Sequence, residues 1–157
     1  MIKVVLIDDE ENCLSSLAIL LTQYCPEVQI MEQCQSVQAG LSAINTHKPD
    51  LIFLDIEMPV LNGFDLLEMV KNYPLAVIFT TAYQHYAVKA IRYSALDYLL
   101  KPIDYKELIQ AVQRYVNQKS QPNPEQYQFL IDKLSQKENT TKKLASMHED
   151  AQKLLRE

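Results

Sequence analysis

Acidic, hydroxyl and amino side chains directly follow short apolar runs in this chain. The adjacent acids Asp8 and Asp9 follow KVVLI, and Asp55 follows LIFL. Thr81 follows AVIFT, and Lys101 follows DYLL. Carboxylates suit a hard cation such as Mg²⁺, and one carboxylate could attack a phosphorus atom. A hydroxyl and an ammonium could then hold phosphoryl oxygens, so these residue types together predict phosphoryl chemistry.

Five short runs rich in Val, Ile, Leu and Phe predict the strands that carry these residues. Most are continuously apolar, as in parallel strands with helices on both faces, whereas VQIMEQC alternates and predicts an edge strand. The predicted strands are 3–7, Val28–Cys34, Leu51–Leu54, 76–80 and Asp97–Leu100.

Amphipathic stretches between the runs predict five helices, so that strands and helices alternate strictly. This alternation argues for a doubly wound α/β fold with a five-stranded parallel sheet. In the strand order 2-1-3-4-5, the first and third strands are neighbours, and their terminal acids would meet. The predicted helices are 11–24, one that begins after Ser36, one that follows Gly63, a short one over about 86–93, and one that Asp104 caps.

Each site residue also has a simpler interpretation. The pair Asp8 and Asp9 could only favour the N-terminus of the next helix, which attracts negative charge. Thr81 could be an ordinary strand end, and Lys101 a surface lysine before a proline that permits a cis peptide bond. Asp55 has few such alternatives, because an acid that ends a buried strand needs a partner. Outside the set, Gly63 predicts a turn conformation before the third helix.

Composition restricts the classes of function. The 157 residues carry a net charge of −5, which argues against general affinity for nucleic acids or anionic membranes. There is no apolar run long enough to span a membrane and no signal-peptide pattern, so we expect a cytoplasmic protein. The three cysteines lack metal or disulfide spacing. Residues 1–118 form the predicted domain, and 119–157 are predicted to be a polar linker followed by a helical or partly disordered tail.

The ordered motifs LIDDE, LIFLDIEMPVLNGFDLL, VIFTTAY and ALDYLLKPI resemble the receiver domain of two-component response regulators. The resemblance covers roughly residues 1–118 and is greatest to receivers of the LytTR class. In that class a linker, similar to the segment around PNPEQYQFLIDKL, joins the receiver to a DNA-binding β domain. The chain stops at Glu157 without such a domain. We therefore expect no nucleic-acid binding by this chain, and transcription control only if a longer parent exists.

The resemblance implies a role for each acid. Asp55 would accept a phosphoryl group from the phosphohistidine of a sensor histidine kinase. Asp9 and Asp55 would bind Mg²⁺ directly, together with the backbone carbonyl of Glu57. Asp8 would act through a metal-bound water. No other cofactor and no membrane partner are expected.

The resemblance also implies a switch. Lys101 would hold a phosphoryl oxygen, and Thr81 would move toward the phosphoryl group beside the Ala82 amide. Tyr98 would swing inward as Thr81 vacates its space. The output surface would be the fourth helix, fifth strand and fifth helix, through which homodimerisation is also a family expectation. An apolar face of the fourth helix (Tyr86, Ala90, Tyr93) is compatible with that dimer.

Three alternatives compete with the phosphorylation switch, which is not expected to act as an enzyme on other substrates. A phosphatase of the haloacid-dehalogenase type needs an acid-x-acid motif after the first strand, where LIDDE stands instead. A flavin-binding module needs a phosphate-cradling loop there, and DDEEN would repel a phosphate. The third alternative is a receiver-like scaffold regulated by protein partners without phosphorylation, and the intact acids, Thr81 and Lys101 argue against it.

Overall fold

The structure, a computed structural model, describes residues 1–118. Strands and helices alternate along this part of the chain, and a 3₁₀ turn at Gln84–Tyr86 precedes the fourth helix. The strands are β1 (Ile2–Ile7), β2 (Val28–Cys34), β3 (Leu51–Leu54), β4 (Ala76–Thr81) and β5 (Asp97–Leu100). The helices are α1 (Glu11–Tyr24), α2 (Val37–His47), α3 (Gly63–Met69), α4 (Ala87–Arg92) and α5 (Tyr105–Gln118).

The five strands form one parallel sheet in the order β2-β1-β3-β4-β5. The predicted fold class is therefore confirmed, including β2 as an edge strand. Ile7 pairs with Leu54, and the Asp55 amide donates a hydrogen bond to the Ile7 carbonyl at 2.9 Å. This register brings the residues that follow β1 and β3 to the same level.

Successive residues of each strand point to opposite sides of the sheet. Both sides are covered by apolar side chains. Val4 and Leu6 pack with α1 and α5 on one face, and Val5 and Ile7 pack with α2, α3 and α4 on the other. Ser36 caps α2 as predicted, since its hydroxyl accepts a hydrogen bond from the Ala39 amide at 3.1 Å. The two layers hold the strand ends in place.

Several local predictions were wrong. Thr81 is the last residue of β4 rather than the residue after it. The predicted apolar face of the fourth helix does not form a free surface, because Ala90 is fully buried. Tyr86 and Tyr93 lie partly buried against Phe64, with ring centroids 6.0 and 5.2 Å away. Much of that face thus packs against the core.

The predicted linker and tail, residues 119–157, lie outside the described residues. Within 1–118 we find no helix with the length and hydropathy that crossing a membrane requires.

Candidate functional site

Three acids meet at the carboxyl ends of β1 and β3. Asp8 and Asp55 are 4% and 6% exposed, and Asp9 is half-buried. One carboxylate oxygen of each residue lies within 4.8 Å of the others. The adjacent acids thus lie close to Asp55 as well as to the start of α1. Like charges this close repel one another, and a bound cation would offset that repulsion.

Lys101 provides the cation that the described structure places among these acids. Its Nζ lies 2.6 Å from Oδ2 of Asp8 and 3.5 Å from Oδ2 of Asp55. The Lys101 amide donates a hydrogen bond to the Thr81 carbonyl at 2.8 Å, and the Lys101–Pro102 peptide bond is cis. The two Nζ distances show that the side chain reaches from the end of the edge strand β5 to the acids beyond β1 and β3.

Burial and mutual repulsion change how the site titrates. Burial raises the pKa of Asp55 to about 6, and the charge of Asp8 adds to this rise while Lys101 opposes it. For Lys101, burial by itself would lower the pKa. The hydrogen bond to Asp8 and the charges of Asp55 and Asp8 outweigh burial, so the Lys101 pKa is raised. One ammonium therefore leaves the three-acid cluster with excess negative charge.

Gly63 fixes the backbone around Asp55 by close approach. A Cβ at this position would lie 2.4 Å from the Asp55 carbonyl oxygen, closer than atoms can pack. The Gly63 amide donates a hydrogen bond to the Ile56 carbonyl at 2.9 Å. The φ of Gly63 is not positive, so the special turn conformation predicted for this glycine was wrong. The start of α3, where Asn62 and Asp65 form a capping box, instead packs directly on the loop that follows β3.

The three residues of the predicted switch lie beside this site. Thr81 is fully buried, and its Oγ1 accepts a hydrogen bond from the Tyr83 amide at 3.3 Å. Ala82 is exposed. Tyr98 is 2% exposed, and its hydroxyl donates a hydrogen bond to the Tyr83 carbonyl. Tyr98 thus already points inward in this structure, and its coupling to Thr81 remains a prediction.

Glu57 lies exposed at the mouth of the site, two residues after Asp55. The sequence analysis missed its contact with Tyr86. Burial raises the pKa of Tyr86, and the charge of Glu57 and a hydrogen bond to its carboxylate raise it further. No local pattern joins residues 29 positions apart in this way. Cys13, also missed, contacts Lys101 through its thiol.

The sequence matches known proteins over most of the described region. Residues 4–113 match the family model of the response regulator receiver domain. The chain belongs to this family. The receiver is 41% identical over 119 residues to an uncharacterized response regulatory protein of Vibrio cholerae, covering 75% of this chain and 50% of that protein. It is 38% identical over 117 residues to the sensory transduction protein LytT of Bacillus subtilis, and this match covers 73% of this chain and 48% of LytT. This likeness is consistent with a receiver of the LytTR class.

Solved structures agree with the sequence matches. A response regulator receiver domain protein of Clostridium thermocellum superposes with a TM-score of 0.68 at 30% identity, covering 76% of this chain and 97% of that one. The response regulatory domain of protein mrkE from Klebsiella pneumoniae superposes with a TM-score of 0.67 at 28% sequence identity. The match covers 73% of this chain and 94% of that one. The chain spans about half the length of the curated relatives it matches. Receiver domains of response regulators imply two-component signalling based on phosphorylation.

Proposed function

We propose that Asp55 of this receiver accepts a phosphoryl group from the phosphohistidine of a sensor histidine kinase. The observation that carries the proposal is a buried carboxylate 3.5 Å from the Lys101 ammonium and beside two further acids. In this step an Asp55 oxygen forms a bond to phosphorus as the phosphorus–nitrogen bond breaks. The imidazole nitrogen keeps the electron pair and takes a proton from solvent.

The acids fit Mg²⁺, because three carboxylates within 4.8 Å supply hard oxygen ligands and leave room for water. We expect Asp9, Asp55 and the Glu57 carbonyl to hold the ion directly and Asp8 to hold it through water. When bound, Mg²⁺ supplies neutralisation of the charge on the phosphoryl oxygens.

Lys101 has a separate task at the phosphoryl group. Its ammonium pairs with Asp8 and Asp55 before the reaction, and we infer that it then binds a phosphoryl oxygen as a point charge. The Thr81 hydroxyl would exchange the Tyr83 amide for another phosphoryl oxygen. Positioning and charge neutralisation of this kind are the main requirements of phosphoryl transfer.

The output of the switch is proposed to be the surface of α4, β5 and α5. Movement of Thr81 and Tyr98 would alter that surface and could control homodimerisation through it. Because relatives include the transcriptional regulatory protein BtsR of Escherichia coli, we propose transcription control in a longer parent chain. The receiver would work in the cytoplasm as a phosphoacceptor and not as an enzyme on other substrates.

Intact-mass spectrometry after incubation with acetyl phosphate tests the proposal. We expect a gain of one phosphoryl group that depends on Mg²⁺ and is absent from Asp55→Asn. The alternative, a scaffold regulated by partners without phosphorylation, predicts no gain in any sample. Beryllofluoride, which mimics a phosphoryl group, separates that scaffold from rapid self-hydrolysis, because only a competent site should bind it.

A further inference from the structure

The two edges of the sheet differ in how far they are covered. At one edge, β5 has four residues, and three of them are at most 2% exposed: Asp97, Tyr98 and Leu99. At the other edge, β2 has seven residues, and all of them except Cys34 are partly or fully exposed. Within residues 1–118, β2 pairs with β1 alone. An uncovered edge strand presents amide and carbonyl groups to which another strand can add.

The end of β2 shows which backbone groups point outward. The Cys34 carbonyl accepts a hydrogen bond from the Asp8 amide at 2.9 Å, so the backbone groups of Cys34 face β1. Because successive residues of a strand direct these groups to opposite sides, those of Gln33 face away from the sheet. The register with β1 skips Met31, which forms a bulge, and is regular again from Glu32 onward. The straight part of the edge therefore follows the bulge and has Gln33 at its centre.

The segments around this edge carry very little charge. Residues 4–47, which include α1, β2 and α2, contain no lysine or arginine. Residues 12–46 contain only two acids, Glu27 and Glu32, although 22% of the residues in the chain are charged. The Glu32 carboxylate already has a partner, since its Oε1 lies 2.9 Å from Nε2 of His47. Sheets commonly protect an open edge with charged side chains, above all lysine, and β2 lacks this protection.

We propose that β2 pairs with β2 of a second copy of this chain, antiparallel across a twofold axis, so that the two five-stranded sheets become continuous. With Gln33 on the axis, the two copies of this residue exchange both backbone hydrogen bonds, amide to carbonyl in each direction.

The lack of charge favours a second copy over a different protein as the partner. At a twofold contact each patch meets itself, so a charged patch repels its own copy, whereas a different protein can supply the opposite charge. Residues 1–118 carry 8 basic and 14 acidic side chains, and this excess of acids disfavours contact between two copies over most of the surface. The β2 edge is the part of the sheet where that repulsion is smallest.

This contact is independent of the function proposed above. β2 and β5 are the opposite edges of the sheet, so pairing through β2 leaves the surface of α4, β5 and α5 uncovered in both copies. The pair would therefore form without phosphorylation. It would hold two receivers together with their proposed output surfaces at the outer edges.

Analytical ultracentrifugation of the unphosphorylated full chain tests the inference. We expect the mass to rise from one chain toward two between about 10 µM and about 1 mM, the range of weak contacts of small area. Gln33→Lys should weaken the dimer about fivefold, because like charges directly opposite each other destabilise an antiparallel pair. Gln110→Lys makes the same charge change at an exposed position of α5 and should dimerise like wild type. Both variants lower the net negative charge, so a general charge effect would strengthen association in both.

Hydrogen exchange on the same samples locates the contact. Amides of residues 28–35 should exchange more slowly at the high concentration than at the low one, while those of α4, β5 and α5 should not change. A monomer at every concentration would overturn the inference and leave the edge to an extended segment of a different protein. A dimer that Gln33→Lys does not weaken, or one that protects α4, β5 and α5 instead of β2, would overturn it as well. None of these results bears on phosphorylation of Asp55.

Discussion

Acidic residues lie at both ends of the sheet, but their charges are neutralised differently at the two ends. At the amino end, Asp97 is fully buried, its Oδ1 accepts a hydrogen bond from the Tyr98 amide at 2.7 Å, and its charge acts on the half-buried Arg114. Asp50 likewise accepts a hydrogen bond from the Lys3 amide at 2.9 Å. Here each acid has its own structural partner.

At the carboxyl end, Asp8, Asp9 and Asp55 share the ammonium of Lys101. The excess negative charge is unfavourable in a buried site, and it is balanced only when a cation or a change of protonation intervenes. An acid with a dedicated partner stabilises the fold, whereas acids that share one partner are available for chemistry. Substitutions at the two ends of the sheet test this contrast.

Removal of the cation that the three acids share should slow the reaction most. Lys101→Met should slow phosphorylation by acetyl phosphate about 100-fold, the usual result of deleting one charge-stabilising group. The rate of mass gain with Mg²⁺ present measures this effect. Lys106→Met, an exposed lysine on α5, is the control and should react at the wild-type rate. Equal rates for the two variants would show that the ammonium of Lys101 is dispensable.

At the amino end we expect a structural effect. Asp97→Asn keeps an oxygen that can accept the Tyr98 amide but removes the charge that faces Arg114. The free energy of unfolding should fall by about 2 kcal/mol, less than for a fully buried pair because Arg114 is half-buried. Urea unfolding measures the change. Phosphorylation of the folded variant should match wild type, and a loss of phosphorylation would contradict the division between the two ends.

At the carboxyl end of the sheet, replacing Asp55 by asparagine should raise the free energy of unfolding, whereas Asp97→Asn lowers it. Because the pKa of Asp55 is about 6 when folded and near 3.8 when unfolded, its ionisation destabilises the fold. Its contribution to stability is greatest below the unfolded pKa and is lost as pH rises through 6. Without Mg²⁺, Asp55→Asn should therefore raise the free energy of unfolding by about 1–2 kcal/mol at pH 8.

Urea unfolding of this variant from pH 4 to pH 8 gives the check. The difference from wild type should shrink as pH falls through 6 and vanish near 4. Asp97→Asn, measured alongside, should remain destabilised at pH 8. If the two asparagine variants shift stability in the same direction at pH 8, the contrast between shared and dedicated partners is wrong.

Sequence patterns predicted the elements well, because strand and helix periods and caps are local properties. All five strands were located, with β1 and β4 each one residue longer than predicted. The face of the fourth helix was not predictable, since both of its sides carry apolar residues and only packing against Phe64 decides which is inside. The close contact of Gly63 with Asp55 also depends on packing between segments.

Local sequence patterns were enough to place acids, a hydroxyl and a lysine at the ends of parallel strands, because βα alternation brings all those ends to one edge of the sheet. The packing of the whole domain was needed to bring Lys101 within 2.6 Å of Asp8, 93 residues away, and to place Arg114 where the charge of Asp97 acts on it. It also joined Tyr86 to Glu57. Such pairings depend on the reach of side chains across a packed sheet, which no local period encodes.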